Sequence, residues 1–462
     1  MNSKIKKILR NTLSLLMAML LLVSFGCDGT GNTDPTAEPT EAPTEEPTEE
    51  PGPTMEEILA ALSTTEFTSA KNVILFIGDG MGQNHVPATD AITGGRYDGK
   101  LSFEYMTATN IVETVCAEGE PDSASGGTAL ACGYKSNRKY VGLDYKGNEI
   151  QNVTELAHSL GKSTGVITSE SIVDATPATF SIHTNNRNDE EQVAYLQVTA
   201  SVADLIIGGG KAAYESLMAN TEDYPDAASK LTENNITWAK TWNEVEAYSG
   251  EGRLIATLTD DFWEEIKTMT PSLAEITDYA IQQLSKNENG FFLMVEGGAQ
   301  DEIAHMSDVM ELTRHMIAFD EAVEVGIKYA YLNKDTVVIV TADHNTGRLL
   351  PKEEADAYIE KNKKTDNYIG NDEWCMTNAS LHCVLEAEKI AQAKNPDVDY
   401  DSLPYRFTTI AHTNDKVNVW AIGYGTEELG TAEKLKSFQI GKFIGKALSG
   451  EEFGSTDKNG KK

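Results

Sequence analysis

Basic residues are scarce in this sequence. Its 462 residues include 38 lysines and arginines against 72 aspartates and glutamates, which gives a net charge of −34. A nucleic-acid-binding protein needs basic side chains to displace the counterions of the phosphate backbone. We therefore expect no nucleic-acid partner, and bound cations would offset some of the carboxylates.

Long apolar runs are also lacking. The longest one, LSLLMAMLLLVSF, follows a cationic start and is too short to be read first as a membrane span. It predicts a signal peptide over residues 1–26, with an uncleaved anchor as the alternative. The residues SFGC resemble a bacterial lipoprotein processing site, with Ser24 where leucine is more usual, so Cys27 is a candidate lipid attachment site. We expect export, either as a cell-envelope lipoprotein facing outside the cytoplasm or as a periplasmic or secreted protein.

The segment after Cys27 has almost nothing apolar to bury. Residues 27–54 repeat proline, threonine and glutamate, which predicts a disordered tether that would link a lipid anchor to the rest of the chain. Residues 55–450 are expected to form one catalytic domain with insertions near 211–252 and 345–411. Residues 451–462 form a polar tail.

Cysteines are few as well, five in all. The four beyond Cys27 are Cys116, Cys132, Cys375 and Cys383. Export permits disulfides, and Cys375 with Cys383 is the more plausible local pair. The sequence leaves the connectivity open.

What the chain does have is a series of apolar, β-branched segments with helical patterns between them. The best strands are residues 72–78, 109–115, 163–168, 203–209, 290–297, 336–344 and 417–423. Amphipathic helices are predicted over 270–286 and 310–332. Because several strands are apolar on both faces, we predict an α/β fold: a three-layer sandwich with a central, largely parallel β-sheet flanked by helices.

Four of these strands lead into polar residues. Asp79 follows the first, Asp174 lies beyond the third, Glu296 ends the fifth, and Asp343 with His344 ends the sixth. Ligands of open α/β sheets bind outside the carboxyl ends of the strands. A single site is the simplest reason for this placement.

Several motifs carry metal-ligand chemistry. In EGGAQDEIAH, a helix beginning near residue 300 would put Asp301 and His305 at i and i+4 on one face. Asp343 and His344 in TADHNTG can converge on one ion because they lie at a strand end, and His412 precedes the last strand. Taken singly, each has an ordinary alternative as a helix cap, a surface pair or a packed histidine.

A second set of residues favours oxygen ligands and phosphate. Asp174 and Thr176 in DATPA suit magnesium, and Arg187 in HTNNR is a candidate for bidentate phosphate binding, with a surface salt bridge as its alternative. Together, the motifs predict a two-metal site with nitrogen and oxygen ligands beside a separate oxygen site.

The stretch EPDSASGGTALAC combines Asp122 and Ser123 with very small side chains. It can begin a helix with Ser123 near the amino end, where free N–H groups favour an anion. A serine beside Zn²⁺ can lose its proton without a histidine base. The alternative is that Ser123 only caps the helix.

From about residue 72 to 425, the motifs GDGMG, DSA, DATPA…HTNNR, VEG…D…H, TADH and a late histidine resemble bacterial alkaline phosphatases, in the family order. The resemblance implies hydrolysis of small phosphate monoesters through a phosphoserine at Ser123, with Asp122 orienting Arg187. It also implies a homodimer, and it implies two Zn²⁺ and one Mg²⁺ as cofactors. The ligands of one zinc would be Asp301, His305 and His412, and those of the other would be Asp343, His344 and Asp79. The ligands of magnesium would be Asp79, Thr176, Glu296 and Asp174.

Glu302 departs from the family pattern, which commonly has a basic or aromatic residue there. An acid at this position would repel phosphate and alter the affinity for magnesium. Two alternative functions stay open: a phosphodiesterase or other member of the same two-metal superfamily, and a non-catalytic surface binding protein.

Overall fold

The protein is described from a computed structural model, which covers residues 52–114, 116–362, 381–457 and 459–461. The chain divides into two units, residues 1–53 and 54–462, and only the second is described below. The predicted signal peptide, Cys27, nearly all of the tether, and Cys375 lie outside the described residues. None of the described helices is long and apolar enough to cross a membrane.

Fourteen strands lie within these residues. In chain order they are β1 (Asn72–Gly78), β2 (Ala108–Glu113), β3 (Ser163–Ser171), β4 (Leu205–Gly209), β5 (Ile236–Ala239), β6 (Arg253–Thr257), β7 (Phe291–Gly297), β8 (Thr336–Thr341), β9 (Asn345–Thr346), β10 (Leu349–Pro351), β11 (Tyr405–Phe407), β12 (His412–Thr413), β13 (Val417–Ile422) and β14 (Leu435–Lys436). All seven predicted strands are present, with ends shifted by a few residues.

Ten strands form one sheet in the order β14-β2-β13-β8-β1-β7-β3-β4-β6-β5. Within it, β13 runs antiparallel to both neighbours and the other pairs are parallel. The central strand β1 is buried along its whole length, as its continuous apolar sequence NVILFIG requires for a sheet covered on both faces. The predicted α/β sandwich is confirmed.

Sixteen described helices accompany the strands. They are α1 (Met55–Ala61), α2 (His85–Thr93), α3 (Ser123–Cys132), α4 (Val153–Ser159), α5 (Ala175–Thr179), α6 (Glu190–Thr199), α7 (Lys211–Ala219), α8 (Ala227–Glu233), α9 (Trp242–Glu246), α10 (Leu273–Leu284), α11 (Ala299–His305), α12 (Val309–Asn333), α13 (Lys352–Asn362), α14 (Leu381–Lys394), α15 (Glu427–Thr431) and α16 (Ser437–Ser449). The two predicted amphipathic helices correspond to α10 and α12.

The register of the central strands aligns their carboxyl ends. Ile77 of β1 is level with Glu296 of β7 and with Thr341 of β8, and Thr168 of β3 is level with Glu296 from the other side. The residues that follow these strands therefore emerge at one edge of the sheet. This alignment creates the site.

The two segments expected to be insertions contain secondary structure of their own. Residues 211–252 include α7, α8 and α9 together with β5, which is the edge strand of the main sheet. Residues 345–411 include the small pair β10 and β11 and two helices, α13 and α14. Cys383 on α14 is disulfide-bonded, whereas Cys116 and Cys132 are free.

Candidate active site

Ser123 is the first residue of α3. Asp122 caps the helix by accepting a hydrogen bond from the Ser125 amide at 3.0 Å. The Ser123 side chain is almost fully buried, and its Oγ lies 3.2 Å from Nε2 of His344. The serine is thus fixed against a predicted metal ligand rather than left as a surface cap.

The small residues of α3 allow that closeness. A Cβ atom at Gly126 would lie 2.7 Å from the carbonyl oxygen of Asp343, and one at Gly127 would lie 2.7 Å from Oγ1 of Thr179. Both separations are well below ordinary van der Waals contact, so the two glycines let α3 pack directly on the segment after β8 and on α5.

Asp301, His305 and His412 form one cluster, with a ligand atom from each lying within 4.8 Å of the others. Asp301 and His305 lie one turn apart on α11, as predicted, with Nε2 of His305 3.1 Å from the Asp301 carboxylate. His412, on β12, brings its Nε2 to 3.1 Å from that of His305.

The hydrogen bonds of the two imidazoles indicate a cation between them. Nδ1 of His305 lies 2.5 Å from the carbonyl oxygen of Ile410, and Nδ1 of His412 lies 3.0 Å from that of Pro121. A carbonyl oxygen only accepts, so Nδ1 of each ring carries a proton, and it is Nε2 of each ring that faces the other ring and the Asp301 carboxylate. Two imidazole nitrogens that converge on one carboxylate fit a shared metal ion.

Asp79, Asp301 and His344 form the second cluster within 4.8 Å, and all three are buried. Asp301 therefore belongs to both clusters. Asp343, the expected third ligand of this group, lies beside it: its Oδ2 is 3.2 Å from Nε2 of His344, while its Oδ1 accepts the amides of Gly80 and His344. Oδ2 of Asp343 is buried and accepts no hydrogen bond from any residue that the structure describes.

The oxygen-rich group lies on the other side of Asp79. The hydroxyl of Thr176 donates to Oδ2 of Asp79 at 3.1 Å, and Glu296 is fully buried at the end of β7. Asp174, which caps α5, completes the predicted set. Carboxylate and hydroxyl oxygens without a nitrogen ligand suit Mg²⁺.

Burial and mutual repulsion disturb the acids of the site. Burial, reinforced by neighbouring carboxylates, raises the pKa of Asp79 well above its usual value, that of Asp343 to about 6 and that of Glu296 to about 8. A concentration of buried negative charge is costly unless cations balance it. This cost is a second reason why the residues fit metal ions.

Arg187 reaches the site from the loop after α5. Its Nη2 donates to both oxygens of Asp174, at 3.0 and 2.8 Å, whereas its Nη1 lies 3.9 Å from Asp122. Asp122 was expected to orient Arg187, but its oxygens accept hydrogen bonds from the amides of Ser125 and Lys139. Asp174 is therefore the nearer partner of the arginine.

Three residues near the site were assigned no role, or only a general one, from the sequence. Thr346, inside the TADHNTG motif, contacts both Asp301 and His344, and its place in that motif was the available signal. Glu302 lies on α11, where its charge adds to burial in raising the pKa of Glu170 well above the usual value. Glu170 gave no signal, because a glutamate inside the apolar–polar sequence of β3 looks like a solvated residue.

Ser123, Arg187 and the two clusters surround one space, and a group that suits this space is anionic and carries several oxygens. The class that this fold and site define is the metal-dependent hydrolases of phosphoryl groups. A sequence model described as "Alkaline phosphatase" matches residues 70–248 and 258–448. The chain therefore belongs to the alkaline phosphatase family, and it hydrolyses phosphate monoesters with metal cofactors.

Individual relatives agree with this assignment. Alkaline phosphatase 4 of Bacillus subtilis is 32% identical over 313 residues, which cover 62% of this chain and 66% of the relative. Alkaline phosphatase 3 of the same organism is 28% identical over 424 residues, 82% and 89% of the two chains. The solved alkaline phosphatase of the Antarctic bacterium TAB5 superposes with a TM-score of 0.65 at 26% identity, covering 83% of this chain and 99% of that one.

Proposed function

We propose that Ser123 is the nucleophile of this phosphatase and becomes a transient phosphoserine. The observation that carries the proposal is the 3.2 Å separation between Ser123 Oγ and Nε2 of His344, inside a cluster of metal-ligand type. The amino end of α3 favours an anion held at this position. No histidine base is needed, since a bound cation lowers the pKa of the hydroxyl.

The proposed cofactors are two Zn²⁺ and one Mg²⁺. Zinc suits the two groups that contain imidazole, and magnesium suits the group that contains only oxygen. The proposed ligands are Asp301, His305 and His412 for the first zinc, Asp79, Asp343 and His344 for the second, and Asp79, Asp174, Thr176 and Glu296 for magnesium. Solved variants of the TAB5 enzyme are described with Mg bound in their M3 site, which supports a magnesium ion in this protein as well.

When bound, the metal ions stabilise negative charge on the attacking and leaving oxygens. Arg187 holds the phosphoryl group through its guanidinium. Although burial alone would lower the pKa of Arg187, the carboxylates of Asp174 and Asp122 raise it above its usual value, so the guanidinium stays protonated. Asp174 thereby acts on the substrate through the arginine, and Asp122 fixes the start of α3. Ser123 would displace the alcohol of the monoester in line and form the phosphoserine. Water would then displace the Ser123 oxygen in line and release phosphate, so two inversions give net retention at phosphorus.

The decisive experiment is acid-quench trapping of phosphoserine. The Zn²⁺- and Mg²⁺-loaded protein is mixed with a ³²P-labelled aryl phosphate, quenched in acid and digested. Label should appear on the peptide containing Ser123, and Ser123→Ala should abolish both labelling and turnover. Ser125→Ala, two residues further along the same helix, is the matched control and should still be labelled.

A phosphodiesterase is the second candidate, and the same preparation separates it. A monoester has three free phosphoryl oxygens and a diester has two, so a group held at once by two N–H groups of Arg187 and by the metal clusters is better matched by the monoester. Hydrolysis of p-nitrophenyl phosphate should therefore far exceed that of its bis-ester. Preference for the diester would reassign the substrate class, and metal binding without hydrolysis of either would support a binding protein.

We also propose that the protein is exported, anchored through a lipid on Cys27, and dimeric. The signal-like residues 1–26 and the acidic tether support the first two statements, and family membership supports the third. Labelled palmitate should enter the full chain but not its Cys27→Ser variant. Sedimentation of the chain from residue 55 should give the mass of two copies, and a monomer at micromolar concentration would rule out the dimer.

A further inference from the structure

Thr346, the second residue of β9, touches a ligand of each metal cluster. Its Oγ1 donates a hydrogen bond to Oδ1 of Asp301 and lies 3.2 Å from Nδ1 of His344. The residue is completely buried. One hydroxyl group thus joins the carboxylate shared by both clusters to the imidazole that faces Ser123.

The hydroxyl has a single proton, and this fixes the direction of both hydrogen bonds. A carboxylate only accepts, so the proton of Thr346 goes to Asp301. The oxygen must then accept from His344, which requires the proton of that ring to be on Nδ1. Nε2 of His344 is left with its lone pair, and it is this atom that lies 3.4 Å from Asp79 and 3.2 Å from Ser123.

The backbone holds Thr346 in place independently of its side chain. The Thr346 amide donates to the carbonyl oxygen of Gly80 at 3.0 Å, next to Asp79. The antiparallel pair of β9 with β12 puts Thr346 opposite His412, and Asn345 donates to the hydroxyl of Thr413 at 2.7 Å. Removing only the hydroxyl should therefore leave the chain path unchanged.

We propose that Thr346 is a positioning residue that sets the ring tautomer of His344 and the carboxylate orientation of Asp301, and so couples the two zinc sites. Groups that orient metal ligands from behind contribute about 10–100-fold to metal affinity. Because Thr346 orients one ligand of each cluster, both affinities depend on it. The inference rests on the zinc sites proposed above.

Two measurements on the full catalytic domain test it. Long-range ¹H–¹⁵N spectra of the metal-free protein report which nitrogen of His344 carries the proton. Titration with Zn²⁺ against a competing chelator gives both dissociation constants. The variants are Thr346→Val, which keeps the shape, and Thr346→Ser, which keeps the hydroxyl. Thr341→Val is the control, since among the described residues the Thr341 hydroxyl bonds only to the backbone oxygen of Asn418.

We expect the Nδ1–H tautomer in the unsubstituted protein, in Thr346→Ser and in Thr341→Val, and a mixture of tautomers in Thr346→Val. Both zinc affinities should fall by about 10–100-fold in Thr346→Val and return in Thr346→Ser. Unchanged tautomer and affinities in Thr346→Val would overturn the proposal. If the unsubstituted protein shows the expected tautomer but binds no zinc, the proposed metal sites have failed and the coupling fails with them.

Discussion

At the scale of single residues, the partner of Arg187 has the largest consequence. Nη2 of its guanidinium donates hydrogen bonds to both oxygens of Asp174, a residue that is also a proposed magnesium ligand. The proposed phosphate-binding arginine and the proposed magnesium site are therefore linked through one carboxylate. Asp122, at 3.9 Å, contributes charge but no close hydrogen bond.

Arg187→Lys tests the geometry of this interaction. A lysine keeps the charge but loses the planar fork that contacts two oxygens at once. We expect kcat/KM for an aryl phosphate to fall by about 10–100-fold, which is the loss of roughly 1.5–3 kcal/mol of charge-assisted hydrogen bonding. Steady-state kinetics with the monoester and the matching diester measure this loss. An equal loss on both substrates would mean that Arg187 does not recognise the oxygen that is free in the monoester and esterified in the diester.

At the scale of elements, the approach of α3 to the segment after β8 depends on Gly126. In Gly126→Ala, the new methyl group would press on the backbone of Asp343, which cannot rotate away as a side chain can. We expect a loss of about 1–3 kcal/mol in unfolding free energy. Because Ser123 moves with the helix, kcat should also fall more than the loss of stability explains. Denaturant unfolding and kinetics on the folded fraction test both effects, and normal kcat would show that α3 adjusts without displacing Ser123.

A half-buried ion pair joins α4 to the segment after α5. His183 lies 2.8 Å from the carbonyl oxygen of Gly142 through Nδ1 and 2.9 Å from Glu155 through Nε2. Both partners accept, so the ring is favoured in its doubly protonated form. Against the opposing effect of burial, Glu155 raises the pKa of His183, while the pKa of Glu155 is lowered despite its burial.

The sign of the pH dependence follows from these shifts. The contribution of His183 is present below its unfolded pKa near 6.5 and is lost as pH rises through its raised folded value. The contribution of Glu155 is lost only as pH falls through its lowered value. Glu155→Gln keeps the helix cap and removes the charge, so it should cost about 1 kcal/mol near pH 5.5 and less at alkaline pH. NMR titration should show a lower pKa for His183 in the variant, and an unchanged value would contradict this pairing.

At the scale of the whole molecule, the sheet and most of the site follow from patterns that lie within one strand or one helix. The apolar run before Asp79 and the i, i+4 spacing of Asp301 and His305 are local, and both are confirmed in the fold. The antiparallel direction of β13 and the place of Asp301 in both clusters depend on how segments far apart in the sequence pair and pack. No local sequence pattern contains that information. The same reason applies to Arg187, which lies nearer to Asp174 than to Asp122: one oxygen of Asp122 accepts a hydrogen bond from the amide of Lys139, 17 residues along the chain.

The acidic site also controls how the stability of the whole protein responds to pH and metal. In the metal-free protein, Asp343 and Glu296 hold protons up to about pH 6 and 8, against 3.8 and 4.5 for ordinary carboxyls. The folded state thus binds more protons than the unfolded chain over this range, and its stability falls as pH rises through those values. The net charge of −34 also destabilises the folded state, because its negative charges repel one another. Calorimetry of chelator-treated protein should give a lower Tm at pH 8.5 than at pH 6.

Metal ions reverse this trend because they bind the deprotonated carboxylates and stabilise only the folded state. Adding Zn²⁺ and Mg²⁺ should therefore raise Tm by more at pH 8.5 than at pH 6. Glu296→Gln is the matched variant: it removes one of the titrating acids, so its metal-free form should lose part of the pH dependence and gain less from Mg²⁺. If the metal-free Tm instead rises steadily from pH 6 to 8.5, the buried carboxylates are balanced by something other than protons, and the charge argument for the metal sites fails.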